Sequence, residues 1–262
     1  MKRRSFVKTS AMASMAIGLG SCYQKSKTHI LTLSFDDGFK KSFYKTAEIH
    51  EEFGLKACLN IIASAHPWPS GPNEYHKDPV GNFDDWNKLK SRGHEIMPHS
   101  WKHANLTEIP FDEAEELIGK CLEYFELHLD GYDSSKAVYN FAYNASNTEL
   151  EDYLLTKVKA VRTGGWDILG GNTVENPFPQ NGGPVRLGCW SFGPENADNW
   201  VEQEINKFLN GPGGWLILNL HGLDEEGWGP VSSDYLRKLL QRLVEIDSLD
   251  ILPAGMALDK YV

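Results

Sequence analysis

The stretch SFDDG, Ser34 to Gly38, sets two aspartates side by side where an apolar run, HILTLSF, comes to an end. Aspartate is a poor strand former and costly to bury unpaired, so two in succession at a strand end need an explanation. Further along, HSWKH spaces His99 and His103 four residues apart. In a helical turn the two imidazoles share one face and can reach a single metal ion. An aspartate from another strand end, Asp36 or Asp37, completes a set of two nitrogens and one oxygen that leaves positions for water and substrate, the pattern of catalytic zinc. Adjacent residues of an extended chain point to opposite sides. One acid can then bind the ion while its neighbour addresses the water that the ion activates, and Gly38 lets the backbone turn sharply beside them. A type I turn accounts for DDG taken alone, and a surface helix produces a lone H-x-x-x-H by chance.

These residues need a scaffold that gathers strand ends. HILTLSF, KACLNII, HEIM, AVYNFAY, AVRT, WLILNLHG and LDILPAG form apolar, β-rich runs. Between them lie helical patterns near 42–53, 83–92, 111–128, 147–158, 197–209 and 232–245, with Ser146 and Glu149 spaced as a capping box. Such alternation predicts a parallel sheet covered by helices. The expected fold is therefore α/β, a distorted or incomplete (β/α) barrel of about seven parallel strands in a single domain, with an open doubly wound sheet as the alternative. In a barrel the working groups lie at the carboxyl ends of strands. Asp36, Asp37, His99, Tyr143 and His221 all fall there. The stretch 164–196, rich in Gly, Pro and Asn, predicts long loops with short strands.

LTLSFDDGFKKSF, GHEIMPHSWKH and WLILNLHG resemble, in order and spacing, the first, second and fifth motifs of carbohydrate esterase family 4, the NodB-homology polysaccharide deacetylases. The resemblance covers about Lys27 to Val262. It implies a distorted (β/α) barrel in which Asp36 is the general base, Asp37, His99 and His103 bind a metal, and His221 is the general acid. It also implies a divalent ion, Zn2+ first with Co2+, Ni2+ or Mn2+ as alternatives, and removal of acetyl groups from N-acetylated amino sugar polymers or, in some members, from O-acetylated xylan. The family's third motif, Arg-x-Pro-Tyr-Gly, meets NFAYN: in one register Tyr143 matches, while Asn140 stands for the arginine, Ala142 for the proline and Asn144 for the glycine, and in the other, that of members with FAYPYG, Asn144 and Ala145 fall at the proline and tyrosine positions. In the family that arginine orients the base, so Arg162 in VRTGGWD becomes a candidate for the missing charge. Tyr143, Trp166 and Trp228 are the expected substrate or oxyanion groups, because loop aromatics at a barrel mouth suit stacking on sugar rings. Trp68 and Trp190 also lie in expected loops. The altered third motif motivates a second reading, a non-catalytic, lipid-anchored carbohydrate-binding protein on the same fold.

The amino terminus has a basic start (Lys2, Arg3, Arg4, Lys8), a short apolar stretch and small residues before Cys22, which together read as an export signal over residues 1–21. RRSFVK resembles a twin-arginine motif and LGSC a lipobox, which implies cleavage before Cys22 and a lipid on that cysteine. The expectation is a short linker over 22–27, a deacetylase domain over 28–262, and a bacterial lipoprotein held at a membrane in the periplasm or at the cell surface. Removing residues 1–21 takes four of 26 basic residues and none of the 36 acidic ones, a net charge of −14. That disfavours nucleic acid as a partner and leaves an acetylated carbohydrate and the membrane. Cys58, Cys121 and Cys189 fit no metal motif and are expected to be small buried hydrophobes.

Overall fold

The computed structural model describes residues 27–64, 79–164, 175–183 and 185–262. The first half alternates as expected: β1 (His29–Phe35), α1 (Lys40–Glu52), β2 (Cys58–Ile61), α2 (Phe83–Ser91), β3 (Glu95–Pro98), α3 (Phe111–His128), β4 (Val138–Asn140), α4 (Thr148–Leu155) and β5 (Ala160–Thr163). The expected loop region holds the short strands β6 (Glu175–Asn176), β7 (Arg186–Gly188) and β8 (Trp190–Ser191). Then follow α5 (Asp198–Leu209), β9 (Gly214–Leu220), α6 (Ser233–Leu243), β10 (Leu249–Ile251) and α7 (Ala254–Tyr261). The described residues thus contain more strands than the seven expected, the surplus being pieces of two or three residues around a glycine- and proline-rich stretch.

β1 is central. It pairs in parallel with β9 along its full length, with β2 at Ser34 and Phe35, and with β10 at His29 to Leu31. β2 continues to β3, while β4, β5 and β7 form a separate parallel sheet. Among the described residues no ladder joins β3 to β4, so the barrel is open at that seam. Asn140 spans the gap: its side-chain nitrogen donates to the Pro98 carbonyl at 3.2 Å, and its own carbonyl accepts from His99 Nδ1 at 3.1 Å.

The two faces of each strand feed two cores. Leu31, Leu33 and Phe35 join the large cluster beneath the helices. Ile30 points the other way, into a smaller cluster with Val138, Ala160, Leu187, Trp215 and Ile217, which α7 closes with Ala254, Ala257 and Leu258. Along that inner face β1 passes from Ile30 through Thr32 and Ser34 to Asp36, all buried. The interior is apolar where the strands begin and polar where they end, which confines the chemistry to one mouth.

The helices bury one stripe each; α6 does so with Leu236, Leu239, Leu240 and Leu243 at helical spacing. The capping box expected at Ser146 and Glu149 does not form. Asn147 is the N-cap and accepts from Leu150 N at 3.0 Å, while Ser146 Oγ donates to Glu151 at 2.6 Å. A true capping box sits on α2, between Asn82 and Asp85. Cys58, Cys121 and Cys189 are free and buried, as expected. No helix among the described residues is long and apolar enough to cross a membrane. The export signal, Cys22, Trp68 and Trp166 lie outside the described residues.

Candidate metal centre and catalytic site

Asp36 extends β1 by one residue, its N–H donating to Leu220 O at 2.8 Å. Asp37 then adopts φ 78°, in the left-handed region, and Gly38 follows at φ 84°. The two acids are therefore not on opposite sides of an extended chain. The left-handed turn swings the Asp37 carboxylate back over the same cavity, and His99 Nε2 stands 3.6 Å from Asp36 Oδ2 and 3.4 Å from Asp37 Oδ1.

HSWKH is not a helical turn either. His99 ends the β3 register with its N–H on Ile61 O at 2.9 Å. Ser100 and His103 both take positive φ, 66° and 55°, and Ser100 Oγ accepts from His103 N at 2.7 Å. This bend brings the imidazoles to a centroid separation of 4.9 Å without helical spacing. His103 Nε2 lies 3.3 Å from Asp37 Oδ1.

Asp37, His99 and His103 offer ligand atoms that all lie within 4.8 Å of one another. Two ligands each about 2.0 to 2.2 Å from a tetrahedral ion stand roughly 3.3 to 3.6 Å apart. The 3.3 and 3.4 Å separations from Asp37 to the two imidazoles meet that requirement. Asp37 Oδ1 is buried and makes no well-formed hydrogen bond among the described residues, as expected of an oxygen reserved for a cation. His99 Nδ1 must donate to the Asn140 carbonyl, which leaves Nε2 as the lone pair that faces the centre. The residues present fit a divalent ion.

Asp36 is held differently. Its Oδ2 accepts from Arg162 Nη2 at 2.6 Å and from Asn219 Nδ2 at 2.7 Å, and its Oδ1 accepts from Asn60 Nδ2 at 2.7 Å. Asn140 and Arg162 are partners in the β4–β5 register. The cation absent from position 140 is thus supplied one strand away at the same height. Asn60 and Asn219 were missed in the sequence. Each interrupts an apolar strand, CLNI and WLILNL, the same signal that singled out Asp36.

His221 follows β9 and meets Trp228 edge to face at 5.3 Å between centroids. Its Nδ1 is buried with no hydrogen-bond partner among the described residues. Tyr143, at φ 58° and 54% exposed, lays its ring 4.6 Å from that of His103. Trp190 is half-buried in β8, and Phe192 beside it stacks on Trp200.

Burial and charge separate the titrating groups. Burial alone would raise both aspartates. Arg162, followed by His99, outweighs it at Asp36, which lies below the usual carboxylate range, and His103 with His99 outweighs it at Asp37, which lies well below it. Burial pulls His103 down to about 3 and keeps it a neutral ligand. At His99 burial opposes the charge, but Asp36 and Asp37 prevail and raise its pKa. Burial also lowers His221, against the pull of Asp37 and Asp36.

The family model for polysaccharide deacetylases matches residues 23–156, which carry both aspartates and both candidate metal-binding histidines. The chain belongs to the polysaccharide deacetylase family. As a member it is a hydrolase of the class that removes acetyl groups from polysaccharides. Deacetylases and esterases of known structure share its fold. The Bacillus subtilis peptidoglycan deacetylase PdaC aligns at 14% identity with a TM-score of 0.53, covering 88% of this chain and 91% of its own. The esterase domain of a xylanase from the hindgut metagenome of Trinervitermes trinervoides aligns at 14% identity and TM-score 0.55, covering 90% and 91%. A family 4 carbohydrate esterase of Streptomyces lividans, solved with acetate, aligns at 12% identity and TM-score 0.51, covering 86% and 91%. No curated protein matches the chain in sequence. Arg162 beside Asp36 also weakens the motive for the non-catalytic reading, since it supplies the charge that the altered third motif lacks.

Proposed function

We propose that this polysaccharide deacetylase hydrolyses the acetyl group of an N-acetylated amino sugar in a poly- or oligosaccharide, or of an O-acetylated sugar, with a divalent ion held by Asp37, His99 and His103. The observation that carries the reading is the spacing of those three ligand atoms directly beside a second, separately clamped carboxylate. When bound, the ion supplies a Lewis acid that polarises the acetyl carbonyl and brings the pKa of a coordinated water towards about 7.

The chain's own groups divide the remaining work. A carboxylate has about four acceptor positions, and the three donors on Asp36 leave one open for the proton of the attacking water. Asp36 takes that proton as the carbon–oxygen bond forms. His221 stands on another strand end, and in its charged form it hands a proton to the leaving nitrogen or oxygen as the bond to the acetyl carbon breaks. A histidine whose pKa burial lowers is a stronger acid once charged. Tyr143 and Trp228 offer aromatic surface on two sides of the cleft for a sugar ring. The export signal and a lipid on Cys22 belong to the same reading on the sequence alone, and place the activity at a membrane surface.

The test is acetate release by the purified chain from N-acetylglucosamine oligomers and O-acetylated xylo-oligosaccharides, with Zn2+ and with a chelator. Asp36→Asn and His221→Ala are expected to cut release by at least about a hundredfold, the scale of general acid–base catalysis. Zn2+-loaded protein that binds these sugars and releases no acetate would return the chain to the non-catalytic class. Labelling with fatty acid, lost in Cys22→Ala, tests the anchor.

A further inference from the structure

Asp36 can only accept hydrogen bonds, so the amide atom that each neighbouring asparagine turns towards it must be nitrogen. The other end of each amide is then an oxygen, and a buried oxygen needs a donor. Asn60 Oδ1 finds one in Asn140 Nδ2 at 2.9 Å. Asn219 Oδ1 finds one in Asn144 Nδ2 at 2.9 Å. Asn140 is itself fixed as a donor by the carbonyls of Pro98 at 3.2 Å and Val138 at 3.0 Å. Asn144 is oriented from its oxygen, which faces the Cys189 thiol at 3.3 Å.

From this geometry we infer that Asn140 and Asn144 are positioning residues: each orients one amide, through Asn60 and through Asn219, so that both donate to Asp36. Two relays run inward, one from the β3–β4 seam and one from Cys189. They end on different oxygens of the same carboxylate, Oδ1 and Oδ2. Arg162 adds the charge on Oδ2, with its second amino group 3.3 Å from Ser34 Oγ. Together they fix both the rotation of the carboxylate and its one open acceptor position. Two of the three positions at which the third motif departs from the family pattern, 140 and 144, are the outer members of the relays. Asn144 sits at φ 52°, a conformation that glycine adopts without strain; an asparagine there supplies the side chain that glycine lacks.

The inference rests on the reading of Asp36 as the base, and the variants separate the two. Asn144→Gly deletes the outer member of one relay and suits the backbone. With 4-methylumbelliferyl acetate as probe, kcat of the Zn2+-loaded chain is expected to fall about ten- to a hundredfold, the range for one hydrogen bond to a charged group. KM and Zn2+ affinity measured against a chromophoric chelator stay at the parent values. Asn144→Asp, which keeps the side chain but cannot donate, falls as far. Asn219→Ser lowers kcat on its own, and Asn144→Gly added to it costs nothing more, because Asn144 acts through Asn219. A double variant whose losses multiply, an Asn144→Gly chain within twofold of parent kcat, or a lost Zn2+ affinity that accounts for the lost rate would each overturn the relay. If Asp36→Asn is inactive while Asn144→Gly is fully active, the relay alone fails. If Asp36→Asn keeps parent kcat, the reading of Asp36 fails and the relay with it.

Discussion

Removing Arg162 is the most direct way to test the electrostatics under the site. Arg162 Nη2 lies 2.6 Å from Asp36 Oδ2, and the two side chains are 0% and 1% exposed. At an effective dielectric constant near 20 the gross attraction at that distance is about 6 kcal/mol. Much of this offsets desolvation, so the net worth of the pair is smaller, but deleting one partner leaves a bare buried charge at about 3 to 5 kcal/mol. Arg162→Leu should therefore lower the unfolding free energy of the metal-free protein by about 3 to 5 kcal/mol at pH 7. Asp36 keeps its two asparagine donors in this variant, which argues for the lower half of that range. Asp36→Asn in the same background removes the stranded charge and should restore at least about 2 kcal/mol, a coupling typical of contacting ion pairs. The sign with pH follows from Asp36 itself. Its folded pKa is below the unfolded value, so its stabilisation is complete above the ordinary aspartate range and is lost as pH falls through the folded pKa. The coupling should be full at pH 7 and fade in strong acid. Urea unfolding of the four proteins in chelator measures it. A loss under about 1 kcal/mol for Arg162→Leu, or additive single and double variants, would refute the claim that this pair is a buried charge balance.

Glu95, the first residue of β3, buries its carboxyl against the start of α7, where it accepts from Gly255 N and Met256 N at 3.0 Å each, and burial pushes its pKa up to about 7. A carboxyl raised in the fold favours folding when protonated, so stability should fall by about 3 kcal/mol as pH rises from 4.5 to 7 and beyond; Glu95→Gln should flatten that slope in urea unfolding, and an unchanged slope contradicts the assignment. His103→Ala and Asp37→Ala should each weaken Zn2+ binding by at least about a hundredfold in competition with a chelator, and parent affinity in either variant rules that residue out as a ligand. Gly38→Ala places a side chain at φ 84° with its Cβ 3.3 Å from Trp86; thermal unfolding should show a loss of about 1 to 2 kcal/mol, and a neutral variant would mean the turn relaxes.

The parts of the site that a string of residues can carry were legible: two acids at a strand end, a histidine pair, and a histidine closing an apolar strand. The barrel class followed from strand–helix alternation for the same reason, since periodicity is local. What escaped depended on how distant strands meet. Four-residue spacing in HSWKH brings the two imidazoles together if the segment is a helical turn, whereas positive φ at Ser100 and His103 reaches the same end by a bend. The aspartates were expected on opposite faces because strand geometry was extended one residue too far, past the point where Asp37 turns left-handed. Arg162 could be named only as a candidate, because its pairing with Asp36 depends on register between β4 and β5. Asn60 and Asn219 carried a visible signal, a polar residue in an apolar strand, but no local feature says that their nitrogens meet at one carboxylate.

The partnership of Asn140 with Arg162 across β4 and β5 has a consequence for how such chains are searched. A cation needed at one height inside a barrel can be delivered by any strand whose inward residue reaches that level. The unit that must be filled is then a row that runs around the barrel, crossing the chain at intervals, and not a word spelled along it. A pattern written along the chain scores Asn140 as a defect, whereas a pattern written around the row finds its arginine next door.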